Sequence, residues 1–172
     1  MLATMSVSEY LAKTASGDPL PGGGSSAALS AALGAALTEM VANLTIGRKG
    51  FEAVDADMRS AAKQAAALRA KLTLDIDRDS DAYTRVLAAF KLPKETSEQQ
   101  NGRAQAIQAP TLLASQVPLQ TAQHAVQVME LAAQVVRLGN VNALSDGGSA
   151  AALARAALTG AALNVRINAR SL

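Results

Sequence analysis

Pro21-Gly22-Gly23-Gly24-Ser25-Ser26-Ala27-Ala28-Leu29, near the start of the chain, returns near its end as Asp146-Gly147-Gly148-Ser149-Ala150-Ala151-Ala152-Leu153. Each segment is followed by a long alanine-rich run with helical patterning and no strand-like alternation. Glycines followed by serine at a helix start leave several backbone N–H groups unpaired and unobstructed at the positive end of the helix dipole. Two such starts could frame one polar site. The simpler account is that Ser and Gly are good N-caps and that small residues let two helices pack closely. Seven of ten positions from Gly23 to Ala32 are identical to Gly147 to Ala156. That match fits either an internal duplication or an echo of one packing solution, because alanine-rich helices match each other cheaply.

Working outward, 172 residues fit one domain with a real hydrophobic core. Hydrophobic residues make up 49% but aromatics only 2%, so the core must come from closely approaching helices rather than large side chains. The fold class expected is all-α: a single-domain bundle of long helices, with alanine-rich helices near both ends. Sixteen Lys and Arg against fourteen Asp and Glu give a formal charge of +2. The cations are scattered, without a basic tract or interleaved aromatics, which argues against a nucleic-acid partner. The absence of cysteine excludes disulfides, thiolate chemistry and Cys-ligated zinc. With no export signal in view, a cytoplasmic location is expected. Residues 27 to 46 are apolar enough to raise the membrane question, but Glu39 and Asn43 interrupt them, so a buried helix and no membrane partner are expected.

The patterning predicts a short helix over 6–16, ended by Gly17-Asp18-Pro19, and a long one from Gly24 to Ile46, ended by Gly47. A third covers 52–90, stopped by Leu92-Pro93. Residues 97–138 read as helical, with Pro110 and Pro118 expected to break or kink the run. The last helix is expected from Asp146, with Leu153, Ala157, Gly160, Asn164 and Ile167 on one stripe.

Polar residues on apolar stripes are the candidates for chemistry. On the third helix Leu72, Ile76, Asp79, Tyr83, Val86 and Phe90 recur at steps of three and four, which sets Asp79 in the middle of an apolar face. Asp75 lies near its edge, whereas Asp77 and Asp81 fall on the solvated side with Arg69, Thr73 and Arg85. A carboxylate on a core-facing stripe is paired or opens to a cleft, and desolvation raises its pKa toward the range useful for acid–base work. It can equally cap a neighbouring helix. On the second helix Ala28, Ala32, Ala36, Glu39 and Asn43 share a face beside the stripe Leu29, Leu33, Leu37, Met40 and Leu44, so Glu39 is either an ion-pair partner or a site residue. Arg48 and Lys49 follow that helix, where the dipole alone favours cations and where they could hold a substrate carboxylate. His124 has no ligand-spaced partner and reads as an exposed helix residue. No metal-binding, Walker, dinucleotide or nucleophile-elbow motif occurs, so no metal and no cofactor are expected.

Several segments together resemble a known family: 21–49, IDRDSDAY at 76–83, FKLPKET at 90–96, AIQ at 106–108, VPL at 117–119 and GNVNALSDGGSAAALARAALTGAALNVRIN at 139–168. In this order they look like the cyclodeaminase domain of formiminotransferase-cyclodeaminase and the stand-alone bacterial methenyltetrahydrofolate cyclohydrolases. Gly50, Pro110 and the end of the chain at Leu172 depart from the usual pattern, and the first two put local helix ends in doubt. The resemblance implies a helical bundle, usually dimeric, acting on a tetrahydrofolate one-carbon derivative as substrate.

Hydrolysis of 5,10-methenyltetrahydrofolate to 10-formyltetrahydrofolate is the leading expectation. A formiminotetrahydrofolate cyclodeaminase releasing ammonia is the alternative, and a non-catalytic folate-binding or helical interaction module is a third reading. On this basis Asp79, then Asp146, then Glu39 are the candidate catalytic residues. Gly22, Gly23, Gly24, Ser25, Asn43, Arg48, Lys49, Tyr83, Asn140, Gly147 and Asn164 are the candidate binding residues, with Arg48 and Lys49 on the glutamate tail. Asn168 falls on the same matching pattern. A homodimer is expected through small-residue faces carrying Gly34, Ala35 and Gly160.

Overall fold

A computed structural model describes residues 1–170; Ser171 and Leu172, where the chain ends, lie outside the described residues. Five α-helices make the fold: α1 (Val7–Thr14), α2 (Gly23–Asn43), α3 (Asp55–Phe90), α4 (Ser97–Leu138) and α5 (Leu144–Ala169). Short 3-10 turns precede α1, α3 and α5, and no strand occurs among the described residues. Helix starts follow local chemistry. Ser6 and Glu9 form a capping box at α1, and Thr96 and Gln99 form another at α4. Beyond the end of α2, Gly47 takes a left-handed φ of 70°, as its lack of a Cβ permits.

The four long helices run up-down-up-down. Ser25 meets Asp79, and Glu39 meets Arg69, so α2 and α3 are antiparallel. His124 meets Asp75 across the next pair, and Asn168 meets Ala114 across the last. Helix α2 and helix α5 are antiparallel as well, since Ser30 donates to the Leu153 carbonyl near their middle.

Pro110 and Pro118 lie inside one continuous helix of 42 residues. The expectation of a break fails because each proline removes one N–H, a penalty of about 3 kcal/mol, while α4 packs against three other helices along its length.

The core is made by small residues. Ala28, Ala31, Ala35 and Ala42 on α2 and Ala150, Ala154, Ala157 and Ala161 on α5 are all buried. At Gly34 a Cβ would stand 2.9 Å from the Ala150 carbonyl oxygen, which only a glycine avoids. Gly34, Ala35 and Gly160 therefore fill contacts within the subunit, and the small faces expected between subunits are already occupied. The leucine stripe of α2 points the other way, with Leu29, Leu33, Met40 and Leu44 exposed. Helix α2 is long and apolar enough to cross a membrane by composition, yet it packs against α3, α4 and α5.

At 36 and 42 residues, α3 and α4 outrun α2 and α5, which have 21 and 26. Past Asp79 and Ala114 they continue as a two-helix arm, where Arg103 stacks 5.3 Å over Phe90 and donates to its carbonyl. The start of α2 and the end of α5 thus meet at the step between body and arm.

Candidate active site

A cavity of about 320 Å³ opens at this step. Its walls are Pro19, Leu20 and Gly22–Gly24 from the entry to α2, Asp79 and Tyr83 from α3, Ala114 from α4, and Asn164, Ile167 and Asn168 from α5. Wider grooves exist, one of about 550 Å³ between α3 and α4 beside Gln64, Lys71 and Glu130, but none of them holds a carboxylate at a helix start.

Asp79 is the centre of the cavity. Gly22, the N-cap of α2, has no side chain to satisfy the first N–H groups of that helix, and Asp79 supplies the acceptor from across the bundle. Its Oδ2 accepts from the Ser25 hydroxyl at 2.9 Å, and the Ser25 backbone N–H also favours the charged form. A Cβ on Gly24 would collide with the carboxylate, so the glycine is what lets Asp79 reach the helix start. Burial nevertheless holds the Asp79 pKa above its ordinary value; the Ser25 bonds oppose the shift, and the charge of Asp75 one turn away adds to it. The arrangement joins the two readings of Asp79: it caps a helix and faces a cleft.

The rest of the lining is arranged around this carboxylate. Gly23 and Gly24 open α2, so their N–H groups have no intrahelical acceptor and border the cavity as donors. The Nδ2 of Asn164 donates to the Gly160 carbonyl at 2.9 Å and would stand 3.2 Å from a Cβ on Gly23. Tyr83 is partly exposed at the mouth, one turn beyond Asp79.

Gly22, Gly23, Gly24, Ser25, Asp79, Tyr83 and Asn164 therefore come together. The other sequence candidates gather at the opposite end of the bundle, about 25 Å away along α5. Glu39 is paired with Arg69, Nε to Oε2 at 2.8 Å. Asn43, Arg48 and Lys49 are exposed beyond or at the end of α2. Asn140 is buried, capping the 3-10 turn before α5 and donating its N–H to Thr45. Asp146 sits half-buried in the first turn of α5, where its charge suits the dipole. Gly147 packs against Val136, where a Cβ would stand 2.5 Å from Cγ2. The two glycine-serine starts thus do not frame one site within a chain, because α2 and α5 are antiparallel.

Sequence reasoning also missed residues. His124 is not exposed: its Nδ1 lies 3.6 Å from Oδ2 of the buried Asp75, and both atoms are buried without a hydrogen bond. The other Asp75 oxygen is held by Arg78, which also donates to Gln120. Asp77, expected in solvent, accepts from the Leu2 N–H. Asn168, which the family pattern did pick out, donates to the Ala114 carbonyl at 2.7 Å across the cavity wall, a bond that the sequence did not show.

The family model for formiminotransferase-cyclodeaminase matches residues 6–172, running through every wall of this cavity. The chain belongs to that family. Over all 172 residues it is 42% identical to the methenyltetrahydrofolate cyclohydrolase of Methylorubrum extorquens, covering 83% of that protein. It is 40% identical over 152 residues to the formimidoyltransferase-cyclodeaminase of Mus musculus, of which it spans 28%. Its fold superimposes on the crystal structure of formiminotetrahydrofolate cyclodeaminase from Thermotoga maritima with a TM-score of 0.88 at 27% identity, covering this whole chain and 82% of that one. The family supports the all-α fold and an enzymatic role for the chain.

Proposed function

We propose that this chain hydrolyses 5,10-methenyltetrahydrofolate to 10-formyltetrahydrofolate at the Asp79 cavity. The observation that carries the reading is the full-length match to a stand-alone cyclohydrolase, taken with a carboxylate held at a helix start inside a cavity. The substrate carbon lies in a cationic amidinium. Ionised Asp79 stabilises that cation and accepts a proton from the attacking water, giving a neutral hydroxylated adduct. Collapse of the adduct breaks the carbon bond to N5, which takes up a proton as the formyl group remains on N10. One proton is released overall. A carboxylate whose pKa stands above its ordinary value is a stronger base once ionised, so activity rises with pH through that raised value.

The cyclodeaminase reaction is the second reading, supported by the Thermotoga structure and the Mus musculus relative. There N10 attacks the formimino carbon and ammonia leaves, so the same carboxylate would serve different proton transfers. Purified protein assayed with both substrates decides: loss of methenyl absorbance without ammonia release is expected, and ammonia release without methenyl hydrolysis reverses the order. A module that only binds folate would melt at higher temperature with reduced folate and turn over neither substrate.

We also propose a homodimer in the cytoplasm, formed on the outer face of α2 rather than its small face. Leu29, Leu33, Met40 and Leu44 make an exposed row of large apolar side chains along one helix, a surface that a second copy would cover. Leu33→Glu is expected to give a folded monomer in sedimentation at micromolar concentration. A wild-type monomer, or a Leu33→Glu dimer, rejects this face.

A further inference from the structure

Pro118 is the second residue of the VPL segment and has no N–H to give the carbonyl four residues earlier, which is that of Ala114. Ala114 is buried, and a buried carbonyl without a partner is costly. Its partner comes from another helix: Nδ2 of Asn168 on α5 donates to it at 2.7 Å. Because a carbonyl only accepts, the bond dictates which end of the Asn168 amide faces α4, and the oxygen is left on the other side. No protein donor to that oxygen occurs among the described residues, and Asn168 lines the cavity. Asn164, one turn earlier, is committed in the same way through Nδ2 to the Gly160 carbonyl.

We propose that Asn168 is a ligand-recognition residue whose acceptor oxygen is set in place by Pro118 through the freed Ala114 carbonyl. The inference rests on the folate reading and deepens it. With the Nδ2 groups of Asn164 and Asn168 both committed to backbone carbonyls, their oxygens are the acceptors left to the cavity and select a ring edge rich in N–H donors, as the aminopyrimidinone edge of a reduced pterin is, while Asp79 stays with the reacting amidinium. Pro118 touches no ligand and is a positioning residue. Its replacement by alanine supplies the missing N–H, and the Ala114 carbonyl no longer requires Asn168.

The test is a two-by-two set of Pro118→Ala and Asn168→Ala, assayed with methenyltetrahydrofolate and followed by thermal melting. Pro118→Ala is expected to raise KM about fivefold to tenfold, the scale of one hydrogen bond, with kcat changed less than about twofold. Its melting temperature is expected to hold or rise, since an interior helix proline is removed. In the Asn168→Ala background Pro118→Ala should add nothing to KM. In the free protein, the side-chain amide protons of Asn168 should lose their hydrogen-bonded NMR signature on Pro118→Ala. An unchanged KM, additive effects, or an unchanged amide signal overturns the proposal. Failure of the wild-type protein to bind or turn over any reduced folate would instead overturn the folate reading, and the ligand half of this inference with it.

Discussion

The two glycine-serine helix starts share most of their residues and have opposite fates. At the start of α2 the close neighbour is a carboxylate: Gly24 makes room for Asp79, and the first N–H groups border a cavity. At the start of α5 the close neighbour is the Val136 side chain, while Gly148 and Ser149 face solvent. The same local chemistry therefore guarantees only a close approach. Which group approaches is decided by the antiparallel packing of whole helices, which sets Asp79 on α3 against one start and Val136 on α4 against the other.

The harshest way to break this comparison is to remove the charge that distinguishes the first start. Asp79→Asn keeps the shape and an acceptor for Ser25, so turnover is expected to fall about a hundredfold or more, the scale of lost acid–base help. The pH–rate limb due to Asp79 should vanish with it. Stability moves the other way. Because burial raises the Asp79 pKa above 3.8, its contribution is fully present below that value and is lost as pH rises through the raised one. The Asn variant escapes that loss, so it should melt higher than wild type near neutral pH and the gap should close in acid. Normal turnover in Asp79→Asn would remove the carboxylate from the mechanism.

Much of this site was legible in sequence and much was not. Steps of three and four placed Asp79 on an inward stripe and Gly22–Ser25 at a helix start, and both hold because they depend on local geometry. What failed depended on partners. The small-residue faces were expected between subunits, but alanine lets helices of one chain approach closely, so Ala28, Ala31 and Ala35 took the interior and Leu33 was left outside. His124 looked solitary because Asp75 lies 49 positions away in sequence, on a different helix. Pro118 read as a break or a kink, and only the position of Asn168 on α5 shows how the carbonyl it frees is satisfied inside an unbroken helix. Glu39 could be read either way until Arg69 was seen beside it.

A milder way to sharpen the comparison adds one methyl group to each start. Gly24→Ala pushes the new Cβ into the Asp79 carboxylate, so turnover should fall at least about tenfold as the base is displaced. Gly147→Ala pushes it into Val136 at the far end, where overpacking should cost about 1–3 kcal/mol of stability, read by denaturant unfolding, with kcat and KM unchanged. Reversal of these two outcomes would mean that the functional start is the second one.

The smallest effects are expected where the second start meets solvent. A Cβ on Gly148 has nothing within 4 Å, so Gly148→Ala should stabilise the helix by about 0.5–1 kcal/mol in denaturant unfolding and leave the kinetics alone. Asp146→Asn removes only a charge from the first turn of α5, where its favourable term with the dipole is about 0.3–1 kcal/mol, so a slight loss of stability is expected and turnover should change less than about twofold. The same distance argument covers Lys49→Ala, since Lys49 lies beyond the far end of α2 from the cavity. Because the cavity is about 25 Å from the second start within one chain, a loss of turnover in Asp146→Asn matching that of Asp79→Asn admits one geometric explanation: a second subunit carries its α5 start to the first subunit's cavity. Sedimentation of the same variant separates that case from simple unfolding, because an intact, inactive dimer has kept the assembly and lost only the chemistry.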